Sequence, residues 1–238
     1  MRIKKIFLID ERKFYWAEKD LHTQFGTIKE NKIKKAKPGK IKTHLNKEML
    51  ILEALSNDNM EKIKRGPAIM LPKDIGLILT LTSIDKNSIV LEAGAGSGFL
   101  TAFLARFCKK VYSYEKNPEF LKIVDFNLKN LDIKNVVLKN EDINKKIYEK
   151  NLDLIVLDLP EPWLSLKNVK EALKSSHYLV CYLPTIDQVQ ELLRNTNDFI
   201  NERVVELIYR EWQTEAGRFR PKSQIIGHTG FLVFLRNL

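Results

Sequence analysis

Beyond residue 74 the apolar positions of this chain alternate between two textures. Short unbroken apolar runs, bounded by charged or turn-forming residues, predict strands buried on both faces. They fall at 89–92, 111–114, 135–138, 154–157, 178–183, 203–209 and 230–235. Between most of them apolar residues recur three and four apart, which predicts helices over 99–107, 118–130, 165–175 and 186–195. Asp74 reads as the cap of one more helix, ahead of Ile75, Leu77, Ile78, Leu79 and Leu81. Strand and helix in regular alternation predict an α/β fold around a mostly parallel sheet. No helical pattern separates the last two strands, and the loop Gly217-Arg218-Phe219-Arg220-Pro221 between them predicts an antiparallel hairpin closing the sheet.

The first part of the chain reads differently. Short β-type stretches at 4–9, 13–16 and 24–28, with a Pro38-Gly39 turn between basic segments, predict a small N-terminal β domain over 1–60. The α/β domain then occupies 61–238. The opening Met1-Arg2-Ile3-Lys4-Lys5 followed by Ile6-Phe7-Leu8-Ile9 is basic then apolar, like a leader peptide. Its apolar run stops at Asp10-Glu11-Arg12 without a small-residue cleavage site, so a first strand is the expectation.

Composition narrows the class. With 44% hydrophobic residues the chain can bury a real core. No stretch approaches the roughly 18 apolar residues of a membrane span. Cys108 and Cys181 sit in apolar surroundings without metal-ligand spacing, and are expected to be buried free thiols in a cytoplasmic protein that holds no metal. Forty Lys plus Arg against 30 Asp plus Glu give a net charge of +10, part of it concentrated in 29–47 and near the C-terminus. A polyanionic partner and a merely well-solvated lysine-rich surface both fit that charge.

The densest chemical signal is Ile89-Val90-Leu91-Glu92-Ala93-Gly94-Ala95-Gly96-Ser97-Gly98, a buried strand ending in an acid and entering a glycine-rich turn before a helix. Three glycines let the backbone pass close beneath a ligand. A dinucleotide fingerprint needs glycine where this chain has Phe99, which disfavours a pyrophosphate. Glu92 beside the turn suits a cation, such as the sulfonium and ammonium of S-adenosylmethionine. Glu115 ends the second strand about 20 residues after the first glycine, the register of a ribose-binding acid. Asp142 follows the third strand and can accept from an adenine amino group. Its other reading is a solvated loop carboxylate.

The fourth strand runs into Asp158-Leu159-Pro160-Glu161-Pro162-Trp163. Ligands of open parallel sheets sit beyond the carboxyl ends of the strands, so Asp158 is expected at the site, with a turn-capping role as its alternative. Tyr182 reads either as an aromatic platform or as ordinary core. Arg218, Arg220 and Lys222 offer phosphate contacts or subunit contacts. His228 is expected to be a hydrogen-bonded structural residue.

The chain resembles the tRNA (adenine-N1)-methyltransferase family, the TrmI-like enzymes, over nearly its whole length. The resemblance rests on Leu21-His22-Thr23-Gln24-Phe25-Gly26, Lys42-Thr43-His44-Leu45, Lys64-Arg65-Gly66-Pro67, Pro72-Lys73-Asp74, the glycine loop, Leu157 through Trp163, Tyr182-Leu183-Pro184, Arg210-Glu211-Trp212 and Gly227-His228-Thr229-Gly230-Phe231. It implies a class I, Rossmann-like methyltransferase domain whose seven-stranded sheet ends in an antiparallel hairpin, preceded by a small β-barrel-like domain. It further implies a homotetramer that methylates N1 of adenine 58, in some members also 57, in the tRNA T loop. By matching position, Glu92, Gly94, Gly96, Ser97, Gly98, Glu115 and Asp142 would hold S-adenosylmethionine, Asp158 would be the catalytic carboxylate, and Tyr182 would lie near the base. The chain departs from the family's pattern at Leu71, where many members carry tyrosine. A catalytically silent tRNA-binding subunit, or a methyltransferase for protein or small molecules, remains the alternative.

Overall fold

The computed structural model describes residues 2–66, 69–214 and 217–238. The chain divides into two compact units, 1–63 and 64–238.

In the first unit, β1 (Lys5–Ile9), β2 (Arg12–Trp16), β5 (Gly39–Lys42) and β6 (Glu48–Glu53) form an antiparallel sheet in the order β2-β1-β6-β5. Its core gathers Phe7, Trp16, Ile28, Ile33, Met49 and Ile51. A hairpin of β3 (Leu21–Thr23) and β4 (Gly26–Ile28) is pinned to the segment after β5. Thr43 Oγ1 donates to the Phe25 carbonyl at 2.8 Å, and His44 Nδ1 accepts from the Thr27 amide at 2.8 Å. Two short helices, α1 (Glu30–Lys35) and α2 (Ser56–Met60), stand where only strands and turns were expected. α1 escapes the periodicity test because Ile33 is its one buried residue.

The second unit opens with α3 (Pro72–Leu81), followed by β7 (Ile89–Ala93), α4 (Phe99–Phe107), β8 (Lys110–Tyr114), α5 (Pro118–Asn130), β9 (Val136–Lys139) and β10 (Leu152–Leu157). A 3-10 turn (Pro162–Ser165) leads into α6 (Leu166–Ala172), β11 (Leu173–Leu183), α7 (Ile186–Arg194) and β12 (Phe199–Glu206). The small pair β13 (Trp212–Gln213) and β14 (Arg220–Pro221) precedes β15 (Phe231–Asn237). The seven-stranded sheet runs β12-β15-β11-β10-β7-β8-β9. β7 to β11 are parallel, and β15 is antiparallel to both β11 and β12. The order reverses between β7 and β10. In open α/β sheets a crevice forms outside the carboxyl ends of such a pair.

Three boundaries differ from those expected. The helix predicted to reach 175 stops at Ala172, and β11 starts at Leu173. Pairing begins at Leu173, opposite Leu152, and resumes at Tyr178 opposite Leu154; across the irregular polar run between them, Lys174 Nζ meets Asp153 Oδ1 at 2.5 Å, and Asn237 Nδ2 donates to the Leu173 carbonyl at 2.9 Å. β12 lies earlier than predicted, because Phe199 is buried and pairs with Asn237. Asp74 caps nothing. Leu71 is the N-cap of α3, and Asp74 lies in the first turn, fully buried. Among the described residues no helix is long and apolar enough to cross a membrane.

Asn127, buried on α5, fastens the start of this unit to the loop after β7. Its Nδ2 donates to the carbonyls of Lys64 and Ser97, both at 2.8 Å, and its Oδ1 accepts from the Lys64 amide at 2.8 Å. Asn127→Leu keeps the volume and strands those groups. We expect a loss of about 2 kcal/mol, read as a lower urea midpoint at unchanged slope.

Candidate active site

The glycine loop follows from where β7 and β10 lie. Ala93 ends β7, and its carbonyl accepts from the Asp158 amide at 2.9 Å, so the two chain segments leave the sheet in contact. A Cβ on Gly94 would stand 2.1 Å from the Asp158 carbonyl oxygen, and φ here is +91°. Only glycine meets both demands. At Gly98, φ +76°, a Cβ would come within 2.8 Å of Val124 on α5. That glycine lets α4 start against its neighbour helix.

Glu115, just past β8, is buried and holds the loop's shape. Its Oε2 accepts from the Gly96 amide at 3.0 Å and its Oε1 from the Asn117 amide at 2.9 Å. A cavity of about 290 Å³ opens beside it. Gly94, Gly96, Ser97, Glu115 and Asp158 line one side, and Ile69, Met70 and Phe120 contribute an apolar wall. The Ser97 hydroxyl is buried there without a hydrogen-bond partner among the described residues.

Three carboxyl groups gather at this end of the sheet. Burial pushes Asp158 up from the usual carboxylate range to about 7. Glu92 is also raised to about 7, first by complete burial and further by the charges of Asp158 and Glu115, against the opposing pull of its bonds to Ser113 and Thr101. Both hydroxyls donate to Glu92 Oε1 at 2.5 Å, while Oε2 has no partner among the described residues. Buried acids with raised pKa values gain from a positive charge brought among them.

S-adenosylmethionine combines such a charge with ribose hydroxyls and an adenine. The residues present fit it. Glu115 keeps free lone pairs on both oxygens, the Ser97 hydroxyl is unpartnered, and the glycine loop leaves room where a Cβ would intrude.

The sequence-predicted residues do not all meet here. Gly94, Gly96, Ser97, Glu115 and Asp158 line one cavity. Glu92 does not: its carboxylate turns into the interior between α4 and β8, fully buried. Asp142 lies outside the cavity lining, and its Oδ1 accepts from the Asn144 amide at 3.0 Å. Tyr182 is next to the site in register, since Cys181 on β11 pairs with Leu157 on β10. Its ring is buried, its hydroxyl donates to the Thr229 carbonyl at 2.5 Å, and a Cβ on Gly230 would fall 2.6 Å from that ring. It is therefore a packed residue rather than an open platform. Arg218 and Arg220 lie exposed around a separate hollow with Phe219, while Lys222 is tied up in an ion pair with Glu211. His228 is structural: its ring nitrogens meet Glu206 Oε1 at 2.5 Å and the Pro184 carbonyl at 2.8 Å.

Sequence reasoning missed one cluster. Lys73 Nζ donates to Asp74 Oδ1 and Thr229 Oγ1, both at 2.7 Å, and the Thr229 hydroxyl lies 3.0 Å from Asp74 Oδ2. The cluster connects the first turn of α3 to Thr229, whose carbonyl holds Tyr182. The adjacent Lys73-Asp74 pair was its only local sign, and it reads equally as a helix start.

Gly94→Ala tests the loop. The left-handed backbone alone costs about 1–3 kcal/mol, and the methyl group must displace Asp158. Thermal melting should show that loss, and calorimetric titration should show no S-adenosylmethionine binding. Unchanged affinity would move the site elsewhere.

Known proteins repeat this architecture. An S-adenosylmethionine-dependent O-methyltransferase from Thermotoga maritima superposes with a TM-score of 0.91 at 31% identity, covering 99% of this chain and 93% of that one. The tRNA (m1A58) methyltransferase TrmI of Aquifex aeolicus gives 0.87 at 28% identity, covering 99% and 96%. The tRNA (adenine(57)-N(1)/adenine(58)-N(1))-methyltransferase TrmI of Methanocaldococcus jannaschii is 32% identical across 96% of this chain and 93% of its own length. Residues 61–220 match the family described as the tRNA methyltransferase complex GCD14 subunit, and this chain belongs to that family.

Proposed function

We propose that this chain methylates N1 of adenine 58 in the T loop of tRNA, and adenine 57 where the substrate offers it, using S-adenosylmethionine. The observation that carries the reading is Asp158: a largely buried acid, raised to about 7, at the mouth of a cleft framed by Glu115 and the glycine loop. Family membership and the activities named for the Aquifex and Methanocaldococcus relatives support it. Gly94, Gly96, Ser97, Gly98 and Glu115 hold the cofactor. Asp142 adds an acceptor at the adenine end, and Glu92 acts beneath the loop through its charge. S-adenosylmethionine supplies an electrophilic methyl group on a positively charged sulfur.

The remaining work falls to the protein. Adenine N1 carries an in-plane lone pair and needs no strong base. Methylation leaves the ring positive, so a carboxylate accepting from the exocyclic N6 amine both orients the base and stabilises the growing charge. Asp158 is the acid in place for this. The short loop Leu159-Pro160-Glu161-Pro162 keeps it placed, since both prolines restrict the chain. N1 is hidden in folded tRNA, so the adenine must leave its stack to arrive. Arg218 and Arg220 hold phosphates without reading sequence, and Lys222 contributes less because Glu211 neutralises it. Tyr182 keeps the neighbouring backbone in place.

A homotetramer and a cytoplasmic location belong to the same reading. The edge strand β12 leaves Ile200 and Val204 exposed, and both free cysteines are buried. Sedimentation gives the assembly's mass. A second reading, transfer to oxygen of another acceptor, draws on the activity named for the Thermotoga relative. Mass spectrometry of tRNA nucleosides after incubation separates the two. 1-Methyladenosine is expected, and its absence alongside a methylated non-RNA acceptor would favour the second.

Asp158→Asn should keep cofactor binding within a few-fold and lower turnover by about 10²-fold or more. The sign of the pH effect follows from the raised value. Below about 7 the carboxyl is protonated and loses its charge, so kcat/KM should fall as pH drops through that range. The variant should lack this limb. A wild-type profile flat from pH 6 to 8 would remove Asp158 from the role.

For the basic loop, Arg218→Ala with Arg220→Ala should weaken tRNA binding and reduce the salt slope by about 2. An unchanged slope would give these arginines a structural task.

A further inference from the structure

The segment 69–73 separates two cavities. Ile69 and Met70 line the cleft beside the glycine loop, and Leu71, Pro72 and Lys73 line a second space of about 740 Å³. Tyr209, Ile225 and Ile226 also line this second cavity. These three side chains are unusually open for apolar residues, at 60%, 47% and 61% exposure. The inner end is polar but electrically settled, because the buried Lys73 ammonium is bound by Asp74 and Thr229. At the rim Lys222 and Glu211 neutralise each other. A charged ligand finds no unpaired partner in this lining, whereas a flat, neutral, weakly polar ring finds two apolar walls.

The aromatic residues of this part of the chain are not equivalent. Trp212 and Phe219 pack on each other across the β13–β14 pair, ring centroids 5.4 Å apart, so those faces are partly used. Tyr209 instead faces the cavity. The surrounding segment also carries Arg210, Arg218 and Arg220. Aromatic surface interleaved with arginine is the composition that binds unstacked nucleic acid, the ring taking a base and the guanidinium groups taking phosphate.

The geometry points to Tyr209 as the residue that stacks on the everted acceptor base, with Leu71 in the same cavity lining. This rests on the RNA methylation reading above and deepens it. Consecutive residues of the segment 69–73 line this cavity and the Asp158 cleft, and in the proposed pose the base has its edge toward that cleft and its sugar and phosphates outside with the arginines.

The test compares Tyr209→Ala with Tyr209→Phe in the full-length protein. Tyr209 is mostly exposed, and calorimetric titration should show S-adenosylmethionine affinity unchanged in both. Loss of one base–aromatic stack should raise KM for tRNA about 5- to 150-fold in the alanine variant. Phenylalanine should restore most of it, because the ring and not the hydroxyl is needed. A second readout needs no chemistry: a T-loop RNA hairpin with 2-aminopurine at the acceptor position should be quenched by wild type and Tyr209→Phe, and stay bright with Tyr209→Ala. Wild-type turnover with equal KM and equal quenching in all three proteins would overturn the proposal. So would an unchanged KM accompanied by a lighter assembly in sedimentation, which would make this face a contact between copies. If wild type methylates no tRNA, the function reading fails on its own, and the quenching comparison still decides whether Tyr209 holds a base.

Discussion

The structure turns on how three carboxyl groups are accommodated at the carboxyl ends of β7, β8 and β10. Burying acids together is costly unless each is hydrogen-bonded or meets a cation. This fold distributes its donors unequally. Glu115 receives two backbone amides, from Gly96 and Asn117, and Glu92 receives two hydroxyls on one oxygen. Asp158 keeps a charge-disfavouring position whose only resolved influence is burial. The acid least compensated by the protein is thus one of the two that line the cleft. On the proposed reading a cationic ligand and a substrate amine complete what the fold leaves open, and the glycine loop lets them approach.

The same logic accounts for the cations nearby. Lys73 is buried within reach of this region, and a free ammonium there would oppose a sulfonium. Asp74 and Thr229 bind it instead, and Thr229 in turn fixes Tyr182 through its carbonyl. One cluster therefore neutralises a charge and joins the first turn of α3 to the entry of β15 and the end of β11. Pro72 and Lys73 of that first turn line the larger cavity, so the cluster fixes one of its walls.

Much of this was legible in the sequence wherever the signal was local. α4 and α5 begin and end where expected, because Gly98 and the Asn117-Pro118 pair are strong start signals and an apolar stripe follows each. The three glycines with Glu92 and Glu115 announced the loop for the same reason. Features set by distant partners were not legible. Asp74 read as a cap, although its partner Thr229 lies 155 residues away. Lys174-Ser175-Ser176-His177 has no strand signature, and it is carried into β11 as an irregularity between two paired stretches, Leu173 with Leu152 and Tyr178 with Leu154. Tyr182 could be read as platform or core because its alternation is the same in either case. The close approach of Gly230 decides the matter. Tyr209, at the end of an apolar run, read as part of a strand, and its place in the same cavity lining as Leu71 follows from a loop whose course no local pattern specifies.

Charge on the whole molecule and charge in the cleft have opposite signs, and this sorts a polyanion by its parts. A net charge of +10 draws nucleic acid toward the surface over distances up to about a Debye length. Within the cleft Asp158 and Glu115, with Glu92 buried behind them, oppose any phosphate that tries to follow. A nucleotide can satisfy both fields in one orientation, with its phosphates out among Arg218 and Arg220 and its uncharged base turned inward. The acids that favour a positively charged donor therefore also exclude the backbone of the acceptor. A protein carboxylate carries its charge on the reacting oxygen itself and has no such division, which is the physical reason for preferring a nucleotide base as the acceptor proposed for this site.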